Sequence, residues 1–127
     1  MLDQCELRAT QQGLNNIQFI LGDTKSGKTQ ALKADCLSLN MVLHHNPTPA
    51  DIIADCAGLL NEHGVLLITD LCAHDQEWVK DTCGDLWLGF EPEELTRWAG
   101  IPGLVEGNSL YLTQRNGFRI QLREFTL

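Results

Sequence analysis

The chain has 127 residues, 43% apolar and 20% charged, with a formal net charge of -8 from 17 acidic and 9 basic residues. That composition predicts one folded domain, large enough for a core and short for a complete nucleotide-processing enzyme. The acid excess and the lack of a Lys/Arg cluster argue against nucleic acid as a partner, five scattered cysteines without C-x-x-C argue against a disulfide framework or zinc knuckle, and no apolar run is long enough to span a bilayer.

From Asp3 to about Gln12 the pattern predicts a short helix closed by Gly13. The acidic start, "MLDQCELRATQQG", does not read as a signal peptide, and with the cysteines taken as reduced thiols the expected location is cytoplasmic. "IQFIL" (17–21) alternates Ile17, Phe19 and Leu21 and reads as a strand. "DCLSLNMVL" (35–43) is an apolar run whose periodicity fits a buried strand or a helix segment. "TPADIIADCAGLLNEHG" is the clearest helix: Thr48 as cap, Pro49 at the first helical position, Asp51 completing a capping-box-like pattern, Ile52, Cys56, Leu59 and Leu60 on one face, and Gly64 at its end.

"VLLITDL" (65–71) shows no polar alternation before Asp70, as in a strand covered on both faces. Between His74 and Trp98 the pattern predicts two helices separated by "GDLWLGF", the second opened by Glu91-Pro92-Glu93-Glu94. The last segment, "SLYLTQ-RNG-FRIQLREF", has two alternating runs joined at Asn116-Gly117, a strong hairpin signal. The order predicts an α/β fold with a mostly parallel sheet, helices on both faces and an antiparallel C-terminal hairpin.

One stretch competes for the functional reading. "GDTKSGKT", Gly22 to Thr29, satisfies G-x-x-x-x-G-K-[ST], whose glycines and helix N-terminus cradle phosphates while Lys28 would reach the outer ones and Thr29 a magnesium ion. Asp70 after the apolar strand would complete a metal-holding pair. This reading requires one helix over 28–43 and leaves only two parallel strands, too little sheet for such a fold. A polar surface loop with two solvated lysines accounts for the same residues.

Taken in order, "GLNNIQFILGD", "LNMVLHH", "GVLLITDL" and "HDQEWVKDTCGDLWLGFEPEEL" resemble the later portion of a class I S-adenosylmethionine-dependent methyltransferase. The sequence is similar to the methyltransferase domains associated with arsenic-resistance-type repressors and to the ubiquinone/menaquinone-biosynthesis methyltransferases. The resemblance runs from the first residues to about Trp98 and is looser in the hairpin. It implies a partial Rossmann-like fold, S-adenosylmethionine as cofactor and a small-molecule methyl acceptor. It implies further that Asp23 accepts a hydrogen bond from the cofactor's adenine, that "DCLSLNMVL" is the fourth strand, and that "SGKT" lies in a variable loop.

Asn40, His44 and His45 then fall where that strand meets cofactor and acceptor, and a histidine, which titrates near neutral pH, suits a general base for methyl transfer to oxygen or nitrogen. A polar loop after a strand is the plainer account of the same histidines. No metal is expected, because adjacent side chains of an extended chain point to opposite faces. The resemblance makes His74, Trp87 and Phe90 candidate pocket residues, against the plainer account of core packing; Trp78 and Trp98 read as packing.

The family's glycine-rich turn "D-x-G-x-G-x-G" does not occur in the chain. The expectation is therefore a truncated domain, inactive when alone, with two further readings open: a non-catalytic dimerisation or partner-binding module, and a nucleotide binder through Gly22–Thr29. Lacking the strands that precede Asp23 in the family, the chain would leave strand 36–43 with an open edge. Strand 17–21 moves in to pair with it, or two chains pair across it as a homodimer; the two are compatible, with the first helix then exchanged between subunits.

Overall fold

The computed structural model describes residues 2–16, 33–74, 87–115 and 117–127. It divides into two compact units, 1–32 and 33–127. In the first, helix α1 spans Leu2–Gln11. It closes as expected: Gly13 at φ 68° donates to Thr10 O (3.1 Å) and Leu14 N donates to Ala9 O (2.9 Å), the paired bonds of a Schellman cap. Strand 17–21 and the Gly22–Thr29 stretch, with Asp23, lie outside the described residues.

The second unit is a mixed α/β fold. Its strands are β1 (Ala34–Asn40), β2 (Leu60–Leu71), β3 (Val105–Thr113) and β4 (Arg119–Thr126), and its helices are α2 (Pro49–Leu59) and α3 (Pro92–Gly100). The strands form one open sheet in the order β1-β2-β4-β3. The ambiguous run 35–43 is settled by β1 pairing in parallel with β2, Leu37 opposite Leu66 and Leu39 opposite Ile68. Among the described strands this is the single parallel pair: β4 runs antiparallel to both β2 and β3.

One face of the sheet carries the core. Leu66 and Ile68 of β2 and Phe125 of β4 pack against Ile53, Cys56 and Ala57 of α2, Leu95 and Ala99 of α3, and Leu43, Phe90 and Leu104 from the connections. The buried stripe of α2 centres on Ile53; Ile52, expected there, is only partly buried. Thr48 is the N-cap and Pro49 opens the helix, but no side-chain cap bond forms, so the capping box read from Asp51 is not made. The helix stops at Leu59, well before Gly64, because Leu60 turns extended (φ -87°, ψ 141°) and enters the sheet opposite Ala34. The capping box at α3 is real: Glu91 and Glu94 exchange side-chain and backbone bonds, with Glu91 N donating to Glu94 Oε1 at 3.0 Å.

The hairpin β3–β4 closes around Gly117, whose φ of 87° suits the left-handed position that ends a three-residue loop. Gln114 N donates to Phe118 O and Gly117 N donates to Gln114 O. In β4 the burial runs against the hydrophobic pattern. Gln121, Arg123 and Phe125 are buried while Leu122 is 37% exposed.

Segment 87–90 lies along the end of β2. Phe90 N donates to Leu71 O, Ala73 N to Phe90 O and His74 N to Leu88 O. Gly89 takes φ 76°, and a Cβ there would collide with the backbone carbonyl of Cys72. Both the strain and the collision fall on backbone, which cannot step aside. Gly89→Ala should therefore destabilise the domain by about 2 kcal/mol or more in urea unfolding, whereas Gly100→Ala, with open space around its Cβ site, should cost little.

Burial also separates the cysteines. Desolvation against the core, with Asp55 nearby, pushes the Cys56 thiol up to about 11, and burial likewise raises Cys72, whereas Cys5 and Cys36 are exposed. Because the reactive species is the thiolate, iodoacetamide at pH 7.5 should label Cys5 and Cys36 at least about tenfold faster than Cys56 or Cys72, read by peptide mass spectrometry. A folded-state pKa above the ordinary thiol value also means that this contribution to stability holds below pH 9 and is lost as the pH rises towards 11.

Candidate functional site

The candidate site is built where β1 and β2 end side by side. β1 stops at Asn40, which is exposed, and the chain reverses through Met41, a non-glycine residue at φ 55° whose N–H still bonds Thr69 O at 2.7 Å. A left-handed methionine is strained backbone, and its position at a strand end is one where such strain persists only under outside constraint. The constraint is supplied next: Leu43–His45 forms a single 3-10 turn docked onto Asp70.

Asp70 is fully buried and carries three short bonds. Leu43 N donates to Oδ2 at 3.0 Å, Leu71 N to Oδ1 at 2.8 Å, and His44 Nδ1 lies 2.6 Å from Oδ1. A carboxylate taken out of water needs donors, and here two backbone amides and an imidazole provide them. With a carboxylate as its partner, Nδ1 is the ring nitrogen that donates in this bond. Trp87 clamps the turn from the other side, its N–H bonding His44 O at 3.1 Å and its indole Nε1 bonding Asn46 O at 2.9 Å.

The two histidines thus differ. His44 is 4% exposed and tied to Asp70, while His45 is exposed, with its ring centroid 4.1 Å from that of His44. Trp87 is half-buried over the core, 5.6 Å from the ring of Phe90, and Phe90 itself is fully buried. Trp98 meets both edge-on, in the packing role expected of it. His74 stands apart from this group, against Phe118, which belongs to a smaller cluster with Leu71, Leu88 and Ile120. The structure therefore brings His44, His45, Trp87 and Phe90 together, sets Asn40 at the adjoining strand end, and places His74 elsewhere; Asp23 and Trp78 lie outside the described residues.

Asp70 is the residue that sequence reasoning missed as a partner of His44, although an acid closing an apolar strand was the available signal. Arg123 was missed too. Its guanidinium, 1% exposed, bonds Pro92 O, Gln121 Oε1, Thr96 Oγ1 and, at 2.6 Å, Glu106 Oε1, which fixes the start of α3 to the hairpin. An open depression of about 480 Å³ lies beside it, between α3 and β3, and contains none of the candidate site residues. With four acceptors already around the guanidinium, we assign no chemistry there. No three His, Cys, Asp or Glu among the described residues are placed to hold a metal ion, and no helix among them is long and apolar enough to cross a membrane.

A methyltransferase-domain family profile matches residues 1–100. The chain belongs to this methyltransferase-domain family. No curated protein matches its sequence significantly. Solved structures share its fold at low identity. A proposed sarcosine dimethylglycine methyltransferase from Galdieria sulphuraria superposes at TM-score 0.83 with 16% identity, covering 98% of this chain and 65% of its own. The N-methyltransferase NodS from Bradyrhizobium japonicum, solved with S-adenosyl-L-homocysteine, gives 0.72 and 14%, with 99% and 62% covered. The cyclase SpnF gives 0.80 and 12%, with 98% and 61% covered. The chain thus spans about 65% of the Galdieria protein, and the methyltransferase fold also occurs in a cyclase.

If Asp70 organises this end of the sheet, its removal strands three donors in a dry setting. Asp70→Ala should cost about 3 kcal/mol or more in urea unfolding, and Asp70→Asn, which keeps one acceptor oxygen, distinctly less. Equal, small losses for both would count against the assignment.

Proposed function

We propose that this methyltransferase-family domain forms the acceptor side of an S-adenosylmethionine-dependent methyl-transfer site acting on an oxygen or nitrogen of a small molecule. The reading rests on the double-histidine turn, held by the buried Asp70 at the carboxyl ends of two parallel strands, where ligands of open α/β sheets bind. S-adenosylmethionine, when bound, supplies an electrophilic methyl group on a sulfonium. His45, exposed at this edge, would take the proton that the oxygen or nitrogen acceptor gives up on methylation, the cofactor leaving as S-adenosylhomocysteine. His44 acts through its neighbour, as a positioning residue that Asp70 fixes in one tautomer and orientation.

In the same proposal Asn40 meets the cofactor at the end of β1, and Asp23 accepts from its adenine amino group. Trp87, braced by the buried Phe90, walls the acceptor side, while His74 sits on the other cluster and contributes least. Most of the catalytic gain would come from holding acceptor and methyl donor in line. The 127 residues contain no glycine-rich turn to approach the cofactor's methionine end, so we propose that the chain alone binds adenosyl ligands weakly and does not turn over. A second reading, a non-catalytic assembly module, is favoured by the exposed strand β3.

A thermal-shift titration tests these readings. At a concentration near the dissociation constant, a ligand of the folded state adds about 0.4 kcal/mol, a shift on the order of 1 to 2 °C. Millimolar S-adenosyl-L-homocysteine should give such a shift, Asp23→Ala should remove it, and Lys28→Ala should leave it unchanged. A response to Mg-ATP that disappears in Lys28→Ala would replace the proposal with phosphate binding at Gly22–Thr29. No response to either ligand would leave the assembly module.

A further inference from the structure

The hairpin carries a face that the monomer does not use. Every residue of β3 is exposed, Leu110 and Leu112 to 52% and 54%, and β3 is the terminal strand on its side among the described strands. Leu110 pairs with Leu122 and Leu112 with Ile120, so these four side chains share the sheet face opposite the core. On the core face of the same hairpin lie Gln121 and Arg123, buried. Hydrophobic patterning alone would turn the hairpin the other way, and the mismatch leaves an apolar strip of leucines in water.

The edge itself is undefended. From Gly107 to Thr113 the strand has no charge and no proline, although the chain as a whole carries -8. Among the described residues its guard is the irregularity between Glu106 and Ser109, which leaves Ser109–Thr113 regular. The phase of its hydrogen bonds follows from the hairpin: Gln114 N bonds inward to Phe118 O, so Leu112 and Leu110 also face β4, and Ser109, Tyr111 and Thr113 direct their N–H and C=O outward.

We propose that β3 is the contact between two copies of this chain, paired antiparallel about a twofold axis at Tyr111. In that register all three outward-bonding residues are matched: Tyr111 faces Tyr111 of the second copy, and Ser109 faces Thr113. The same register sets Leu110 beside Leu112 of the second copy on the leucine face, next to the small groove lined by Leu67, Leu110 and Leu122. Charge does not oppose the pairing itself, because Gly107 to Thr113 carries none. A contact of five residues a side, Ser109 to Thr113, belongs with the small interfaces, so the dimer is expected at micromolar concentrations and above. This places the homodimer on β3, where the sequence reading expected it on β1, and it does not depend on the catalytic proposal.

Light scattering across about 5 to 300 μM should show the mass rising from 14.2 kDa towards twice that value. Tyr111→Pro removes an outward N–H that the monomer does not need, and should raise the dimer dissociation constant at least about tenfold while the circular dichroism spectrum and melting temperature of the dilute protein hold. Leu112→Lys, a surface change in the monomer, should do the same by bringing a charge to the leucine face. Tyr111→Cys should crosslink to itself on oxidation, since facing hydrogen-bonded residues have Cα atoms about 5.5 Å apart. A monomer across the whole concentration range would overturn the proposal. So would a dimer that survives both substitutions, or one whose oxidation links it through the exposed Cys36 of β1.

Discussion

A single buried carboxylate sets the working end of this domain. Asp70 sits at zero exposure where β2 ends, and an anion there is tolerable only with donors on both oxygens. Two backbone amides and His44 supply them, which draws the 3-10 turn at Leu43–His45 onto the sheet and holds Met41 in its left-handed conformation. Trp87 then closes on that turn through two further bonds. The exposed His45 follows directly on the anchored His44, so its place is set through the buried carboxylate that holds its neighbour.

A second buried charge does comparable work at the other end. Arg123 lies among Pro92, Thr96, Gln121 and Glu106, and through them ties the hairpin to the first turn of α3. Together with Gln121, which donates to Phe90 O at 2.9 Å, it explains why β4 turns polar residues inward. The sheet face that carries this polar network also carries Phe125, Leu66 and Ile68, so the core is apolar at its centre and hydrogen-bonded at its margin. The corresponding leucines of the opposite face are left in water as a consequence. The placement of the His44–His45 turn and the exposure of the leucine face are therefore two results of how the sheet buries two charges.

Family membership and fold leave the chemistry to the site. The same fold serves NodS, an N-methyltransferase, and SpnF, a cyclase, at 14% and 12% identity to this chain. At the strand ends of this chain stand Asn40, His44, His45 and Trp87, the side chains on which the proposed chemistry rests. The proposed division of labour, with His44 fixed and His45 facing outward, follows from burial and from which ring nitrogen meets Asp70.

Local chemistry alone determined the Schellman stop at Gly13, the proline-led start of α2, the acidic first turn of α3 from Glu91 to Glu94 and the C-terminal hairpin, because each depends on residues a few positions apart. The apolar run 65–71 was legible as a strand for the same reason, and the resemblance spread over 1–98 agrees with the family match over 1–100. What the sequence could not decide was anything resting on distant partners. The run 35–43 became a strand only by pairing with β2, and the helix expected to reach Gly64 ended at Leu59 because Leu60 was drawn into the sheet. His44 and His45 are identical as neighbours in sequence; a carboxylate 26 residues away makes one a buried anchor and leaves the other at the surface. Tertiary structure likewise turned Arg123 inward, since only the assembled hairpin and α3 could offer four acceptors to a charge that sequence pattern assigns to solvent.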